Sequence, residues 1–273
     1  MRPPSAIALT SIILRSSAFI ILGLSSGLSS GLILGLLGPT AVLAQQTAAP
    51  PKAYKPVTIT LPKTVADPSF DAFRKQISDI AGKKDRAALA RIVAQKFFWI
   101  PEDKDVADAQ KPGIENLAAA IGLEGNDAPG WDLLAGYAQE STADPHPQQT
   151  GAVCGPGEPA FDDKAAEELA KSTDTEPAEW GYPASAGIDV RSGPEPTAPV
   201  LEKLGLYLVR VFPDDSPAAA VHGDTLRIVT PSGKLGYVPI DSVLPLISDQ
   251  ICYRKEGNAW RIAGAIGGVP PGK

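Results

Sequence analysis

The sequence is poor in the residue types on which much enzyme chemistry depends. Its 273 residues include two cysteines, two histidines and one methionine, and aromatic residues make up 6% of the chain. His146 and His222 are far apart, and the sequence contains no His-x-x-x-His pattern. A histidine-rich zinc site is therefore excluded.

The presence of only two cysteines also limits the roles that cysteine can have in this protein. Cys154 and Cys252 form an even pair, which in an oxidising compartment is most economically a disulfide. The alternative is a nucleophilic Cys154 with His146 as its base, which requires a reduced thiol of low pKa and a positioned histidine. Both residues lie in the Pro- and Gly-rich connection 142–160, which offers no regular structure to hold them, so the disulfide is the favoured interpretation.

Acidic residues are absent from the first 44 residues, which contain Arg2 and Arg15. An apolar run over 19–37 is followed by a short segment of small residues. This pattern is typical of a secretory signal peptide, and we predict cleavage after Ala44 and a mature chain in the bacterial periplasm or outside the cell. The alternative is an uncleaved leader that anchors the protein in the inner membrane.

Charge is distributed in blocks along the chain, whose net charge is −6. Residues 45–101 hold 10 basic and 4 acidic side chains, residues 102–180 hold 4 basic and 18 acidic ones, and residues 181–273 hold 9 of each. The blocks predict that the basic segment folds against the acidic one, or that each faces a different partner or solvent. Nucleic acid is not an expected partner, because phosphate neutralisation requires a clustered basic surface.

Residues 67–172 are predicted to form a mostly helical domain. A Pro- and Ala-rich segment, 45–66, precedes it and is expected to be a flexible lead-in. Asp67 and Pro68 begin a helix that Gly82 ends, and its apolar residues repeat at helical spacing. Asp85 is expected to cap a second helix over residues 86–98, and residues 97–100 are interpreted either as the end of a helix or as a short strand. Further helices are predicted over residues 114–121, 131–139 and 163–171.

From Gly187 onward, helical spacing gives way to alternation. Short strands are predicted over residues 187–192, 206–212, 224–230 and 235–239, which is typical of a small β-barrel or sandwich. A hairpin centred on Glu256-Gly257-Asn258 is expected to extend this sheet or to cover the open side of the barrel. The predicted fold class is therefore α+β, with a helical domain followed by a barrel and hairpin over 181–268.

Two motifs in this β-rich part, IDVRSGPEPTAPVLEKL and PSGKLGYVPIDSVLPL, together resemble the bacterial SH3 domain over about residues 184–247. Gly236 is expected to let the backbone pass close beneath a neighbouring strand. The chain departs from the family pattern at Asp189, where the family usually has asparagine, and in a loop lengthened by PDDSPAAAVHG. The matching positions are Ile188, Val190, Arg191, Gly193, Pro194, Val200, Leu201, Leu204, Gly233, Lys234, Gly236, Tyr237 and Val238.

The resemblance implies an SH3-like barrel with a noncatalytic binding role in the envelope, since bacterial SH3 domains accompany cell-wall enzymes and are implicated in binding peptidoglycan or peptide. The candidate ligand-binding residues are Trp180, Tyr182, Arg191 and Tyr237, because aromatic rings can stack on sugars or extended peptide. The alternative is that Trp180 and Tyr182 pack between domains and that Tyr237 fills the core.

Two other functions stay open. The helical domain could bind another envelope protein, with the barrel acting only as a structural support. A cell-wall hydrolase could draw paired carboxylates from the 18 acidic residues of 102–180. The segment EDKDVAD, 102–108, has alternate carboxylates but lacks the glycine and closing glutamate of an EF-hand loop, so neither a metal nor a cofactor is expected.

Overall fold

The computed structural model describes residues 51–124, 129–212 and 223–268. Within these ranges the chain forms five α-helices and two β-sheets, which confirms the α+β class. The predicted leader lies outside the described residues. Among the helices that are described, none combines the length and apolar character that crossing a membrane requires.

Three of the five described helices begin at an aspartate whose side chain caps them: Asp67, Asp85 and Asp162. Asp67 accepts a hydrogen bond from the backbone N–H of Ser69 at 2.8 Å, and Asp85 accepts one from that of Ala88 at 2.9 Å. The apolar stripe predicted for the first helix is buried, with Ile77 fully enclosed. The helices are α1 Pro68–Lys83, α2 Arg86–Ile92, α3 Gly113–Ile121, α4 Gly130–Gln139 and α5 Asp163–Thr173.

The strands are short, and most have one buried face. They are β1 Val93–Ile100, β2 Asp144–Pro145, β3 Ala152–Gly155, β4 Trp180–Pro183, β5 Asp189–Arg191, β6 Val200–Lys203, β7 Val209–Val211, β8 Thr225–Val229, β9 Leu235–Pro239, β10 Val243–Pro245, β11 Gln250–Glu256 and β12 Ala259–Ile266. A five-stranded sheet has the order β1-β12-β11-β3-β2, and a seven-stranded sheet has the order β10-β4-β7-β8-β9-β5-β6. Short 3₁₀ turns lie at Pro177–Glu179 and Ile240–Ser242.

The helix predicted over 86–98 is wrong in its second half. α2 ends at Ile92, and β1 begins at the next residue. The segment VAQKFFWI is rich in β-branched and aromatic residues, and its partner β12 lies more than 150 residues later in the chain. The spacing of apolar residues within the segment could not reveal that partner. Pairing with β12 makes residues 93–98 a strand although their spacing also fits a helix.

The C-terminal hairpin lies in a different sheet from the one predicted. β11 and β12 pair with each other, and β12 then pairs in parallel with β1, from Val93↔Ile262 to Ile100↔Ile266. β11 pairs on its other side with β3. The hairpin therefore completes the sheet beneath the helices and does not extend the seven-stranded sheet.

The five-stranded sheet buries both of its faces. Alternation along β11 directs Ile251 and Tyr253 towards α1, α3 and α4, where they join the largest apolar cluster of the described residues. Cys252 points to the opposite face and lies directly across from Cys154 on β3. The predicted disulfide between these two cysteines is confirmed.

The seven-stranded sheet curls around a core of its own. Val190 on β5 and Val243 on β10, from strands near opposite ends of the strand order, belong to the same buried cluster. Among the described strands, however, β6 and β10 are not paired with each other, so hydrogen bonding does not close the sheet into a barrel. The expected close approach at Gly236 is confirmed, because a Cβ there would lie 2.3 Å from Cγ1 of Val190.

The segment before α1 is fixed in place, where the sequence predicted a flexible lead-in. We call residues 53–64 the N-terminal strap. Its backbone forms isolated β-bridges at Thr58↔Tyr207, Thr60↔Ala160 and Thr64↔Thr142. Its apolar side chains at positions 57 and 59 are 5% and 4% exposed. A segment held by single bridges shows no strand-like alternation in its sequence. Its Pro- and Ala-rich composition therefore suggested a flexible lead-in.

Substitution of Ile59 tests the strap. Ile59→Ala should lower the free energy of unfolding by about 2–4 kcal/mol, because it removes buried methyl groups and leaves a cavity. Urea unfolding followed by circular dichroism measures this difference. The neighbouring Thr58→Ala, whose side chain is exposed, is the matched control and should change stability by less than about 0.5 kcal/mol. Equal effects of the two substitutions would contradict a packed strap.

Removal of the disulfide tests its contribution to stability. The bond joins residues 98 positions apart, and a crosslink closing such a loop stabilises a fold by about 4–5 kcal/mol in the chain-entropy model. Cys154→Ala with Cys252→Ala should therefore lower the free energy of unfolding by about 4 kcal/mol in urea. Reduced wild-type protein is the control, and it should approach the stability of the double variant. A loss below about 1 kcal/mol would contradict the assignment.

Candidate functional site

Two of the four predicted ligand-binding residues are not at the surface. The side chains of Trp180 and Tyr182 on β4 are 3% and 4% exposed. They lie in an apolar cluster with the strap, α5 and the β7 region, to which Ile59, Leu169 and Leu208 contribute. The alternative interpretation, in which both rings pack between segments, fits this burial, and a surface role for either ring does not.

The polar atoms near these two rings are also engaged within the protein. The indole N–H of Trp180 donates to the hydroxyl of Thr175 at 2.8 Å, and the ring meets Tyr54 edge-on at 5.2 Å. The Tyr54 hydroxyl donates to the carbonyl of Val229 at 2.9 Å. Burial raises the pKa of Tyr182 to about 12, so its phenol stays neutral at physiological pH. This cluster therefore fastens the strap to the seven-stranded sheet.

The other two predicted residues are brought together on the outer face of the seven-stranded sheet. Arg191 on β5 and Tyr237 on β9 are directly opposite each other. Alternation along β9 buries Gly236 and Val238 and leaves Tyr237 half-buried, so its ring does not fill the core. Residues that face each other across paired strands share a face and have neighbouring side chains.

This pair belongs to a longer line of side chains that we call the cation–aromatic row. Val200 on β6 is opposite Arg191, and Arg227 on β8 is opposite Tyr237. Beyond Arg227, the backbone N–H of Phe212 donates to the carbonyl of Arg227 at 2.9 Å. The row Val200–Arg191–Tyr237–Arg227–Phe212 thus crosses the sheet, and Val200 at its end is 46% exposed.

Arginine and aromatic groups contact each other within the row. The guanidinium carbon of Arg227 lies 4.6 Å from the centre of the Phe212 ring, and that of Arg210 lies 5.6 Å from it. Arg210 also forms an ion pair with Glu179 at 2.8 Å. These contacts order the side chains before any ligand arrives, which reduces the entropy that binding would cost.

Arg191 has a second role in the loop that follows β5. Its Nη1 donates to the carbonyl of Ala198 at 2.8 Å, and its Nη2 lies 3.7 Å from the carboxylate of Asp189. A hydrogen bond from Lys203 to Asp189, with nearby positive charge, lowers the pKa of that carboxyl group. This contact holds the Arg191 side chain along the loop that follows β5.

The cysteine–histidine alternative is wrong for this structure. Cys154 is bonded to Cys252, so it offers no thiolate. His146 is occupied as well, because its Nδ1 accepts hydrogen bonds from the backbone N–H groups of Gln148 and Gln149 at 3.1 and 3.0 Å. Its ring lies 5.7 Å from that of Phe98. The histidine therefore holds a turn over the disulfide face of the five-stranded sheet.

The carboxylates of 102–108 serve the backbone of their own loop. Asp105 accepts hydrogen bonds from the N–H groups of Trp99 at 2.9 Å and Ala107 at 3.0 Å. Asn116 accepts from the N–H of Asp108 at 2.7 Å and thereby ties the loop to α3. Within the part of the chain that the structure describes, no three His, Cys, Asp or Glu side chains are grouped to hold a metal ion.

Three members of the cation–aromatic row, Val200, Arg227 and Phe212, were not predicted as site residues. Alternation in the segment DTLRIVT places Arg227 on the outer face of its strand, and a short turn joins that strand to β9, so its place beside Tyr237 could have been inferred. The position of Phe212 beside Arg227 depends on pairing across the lengthened loop between β7 and β8, and a single sequence carries no signal for that register.

Comparison with known proteins gives no relative from which a site could be transferred. No protein-family model, no curated protein and no solved structure matches this chain.

Acidification tests the role of His146. Burial lowers the pKa of His146 below its ordinary value of about 6.5, so the unfolded chain takes up the proton first as the pH falls. The free energy of unfolding of the wild type should therefore decline from about pH 7 downward. His146→Asn keeps an acceptor near the turn but does not titrate, and it should remove this part of the decline. Identical pH profiles from pH 8 to pH 5 would contradict the assignment.

Proposed function

We propose that the protein is a noncatalytic binding protein of the bacterial envelope, and that the seven-stranded sheet is an SH3-like module which holds peptidoglycan or an extended peptide on its outer face. The observation that carries the proposal is the cation–aromatic row, which crosses the four strands β6, β5, β9 and β8 from Val200 and ends at Phe212, just after β7. No single sequence motif contains the whole row.

The chemistry of the row suits a ligand with carboxylates and a flat or apolar portion. The guanidinium groups of Arg191 and Arg227 place positive charge on this face, which attracts carboxylates. Tyr237 and Phe212 lie between and beside them and offer ring faces for a sugar or for apolar side chains. Peptidoglycan combines sugars with short carboxylate-bearing peptides, so both kinds of group are present in one polymer.

The arrangement of the core supports the SH3-like interpretation of the sheet. Val190, Leu204 and Val238 occupy positions of the two resemblance motifs, and all three are buried in one cluster. The close passage of Gly236 beneath Val190 joins the first motif to the second. These contacts bring residues of both motifs into a single core, which supports the interpretation that the two motifs belong to one module.

The envelope is the proposed location because two independent features agree with it. The first is the signal-like segment that ends at Ala44. The second is the buried disulfide, a bond that persists chiefly in oxidising compartments. Either the periplasm or the outside of the cell fits both features, and an uncleaved leader in the inner membrane is the alternative.

The second candidate function is that of a structural adaptor for another envelope protein. The basic surface of α1 and α2 favours it, because several cations there have no partner within the described part of the chain. A hydrolase that uses Cys154 as its nucleophile has no comparable support, since Cys154 is held in the disulfide.

Introduction of a negative charge at the exposed end of the row tests the proposed function. Val200→Glu places a carboxylate beside Arg191 and should weaken co-sedimentation of the protein, lacking its leader, with cell-wall sacculi by at least about fivefold at low salt. The matched control is Ile247→Glu, which makes the same change at a position that is 61% exposed and lies beyond β10. It should change binding less than twofold.

Two outcomes would contradict the proposal. Wild-type protein that does not sediment with sacculi would remove peptidoglycan as the ligand, and equal losses for the two variants would remove the row as the site. Thermal unfolding of both variants shows whether either substitution alters the fold.

A further inference from the structure

A groove of about 340 Å³ lies between α1 and α2. Its lining residues belong to 72–92 and are distant in sequence from the cation–aromatic row. Its floor is apolar, since the lining side chains of Ile80 and Ile92 are buried and Ala88 is half-buried. The helical hairpin fixes its walls, because Asp85 caps α2 immediately after the turn that ends α1. The groove is therefore a preformed feature of the fold.

Three exposed cations line this groove: Lys75, Lys83 and Arg91. None of them forms an ion pair or side-chain hydrogen bond with another residue of the described ranges. Two arginines on the same helices but outside the groove behave differently, since Arg74 pairs with Asp71 and Arg86 pairs with Glu115, each at 2.8 Å. The cations without partners are thus concentrated where the surface is concave.

Two carboxylates also line the groove, and one of them is already engaged. Asp85 accepts the capping hydrogen bond from the N–H of Ala88 at 2.9 Å, while Asp79 lies on α1 midway in sequence between Lys75 and Lys83. Counting all five charged side chains gives the groove a net charge of +1. It also belongs to the basic block 45–101, whose 10 basic and 4 acidic residues give +6, so the surrounding field favours an anionic partner.

The geometry points to docking of an acidic peptide segment of a partner protein in the groove between α1 and α2, with an apolar side chain on the floor and a carboxylate at each end. Lys75 and Lys83 are eight residues apart on one helix, a distance of about 12 Å along its axis. An extended peptide spans that distance in about four residues, and its first, third and fifth side chains share one face. The expected pattern is therefore acidic–x–apolar–x–acidic.

A membrane surface fits the groove less well than a peptide does. Binding to an anionic bilayer uses exposed apolar side chains that enter the lipid beside the cations. The large exposed apolar side chains of the described residues lie outside α1 and α2: Val106, Leu133, Val200, Leu235, Ile240 and Ile247. The cations of the groove instead surround a recessed apolar floor.

Titration with a short peptide tests this inference. The probe is a blocked peptide reading Glu-Ser-Leu-Ser-Glu, added to ¹⁵N-labelled full-length protein while amide chemical shifts are recorded. The shifts should concentrate in residues 72–92. The variant Lys75→Glu with Arg91→Glu should weaken binding at least about fivefold. The matched control, Lys104→Glu with Lys164→Glu, changes the net charge equally at positions outside the groove and should change binding less than twofold.

Two further peptides and a vesicle probe serve as controls for this inference. A scrambled peptide, Glu-Glu-Leu-Ser-Ser, should bind more weakly than the probe, and Lys-Ser-Leu-Ser-Lys should not bind. Equal losses in the two double variants would show nonspecific attraction and overturn the site. Binding of phosphatidylglycerol vesicles but not of the peptide would overturn the choice of partner.

The inference is separate from the proposed function of the seven-stranded sheet. If the peptide shifts the amides of Arg191 or Tyr237 and not those of 72–92, the groove is not the site, whereas the cation–aromatic row gains support. If sacculus binding fails while the peptide shifts residues 72–92, the proposed function fails and the groove stands.

Discussion

The parallel pairing of β1 with β12 is the contact on which the rest of the structure depends. Through it, the strand that follows α2 is joined to the strand that ends at Ile266, and β12 in turn carries β11 and β3. The apolar faces of α1, α3 and α4 pack on the sheet that results. The seven-stranded sheet lies in the sequence between β3 and β11, so it is an insertion within the first layer, and the helical layer cannot be completed without residues 250–266.

The two surfaces described above differ in how their geometry is maintained. The cation–aromatic row is ordered by strand register and by contacts among its own side chains, of which the approach of Arg227 to Phe212 is the shortest. The groove is ordered by a helical hairpin, and its cations have no partner in the described chain. The positive charge of the cation–aromatic row is therefore partly neutralised within the protein, whereas the positive charge of the groove is available for a partner. This contrast gives the basic block of the sequence a physical meaning, since only part of it is used inside the fold, as in Arg86 with Glu115.

The features that could be predicted from the sequence are those that depend on residues close together along the chain. The caps at Asp67 and Asp85, the buried stripe of α1 and the disulfide all follow from local pattern or from residue counting. The features that were missed depend on partners distant in sequence. The first half of β1 was assigned to a helix because its apolar spacing suits both states, and β12 is remote. Trp180 and Tyr182 were named as candidate surface residues, with packing between domains as the alternative, and the strap that covers them looks disordered by composition. Of the five residues in the row, Arg191 and Tyr237 were predicted from the two motifs, whereas the strand pairing that adds Val200, Arg227 and Phe212 was not.

The N-terminal strap has a consequence for the order in which the chain becomes structured during synthesis. Its backbone contacts are with residues 142, 160, 206, 207, 208 and 231, so at about 5–20 residues per second the ribosome releases the last of these on the order of ten seconds or more after the strap. Until then Tyr54, near the start of the strap, lacks its backbone partner Pro231. Late partners of this kind slow folding, and a nascent chain with such a beginning stays open to translocation machinery or chaperones until its final strands have emerged.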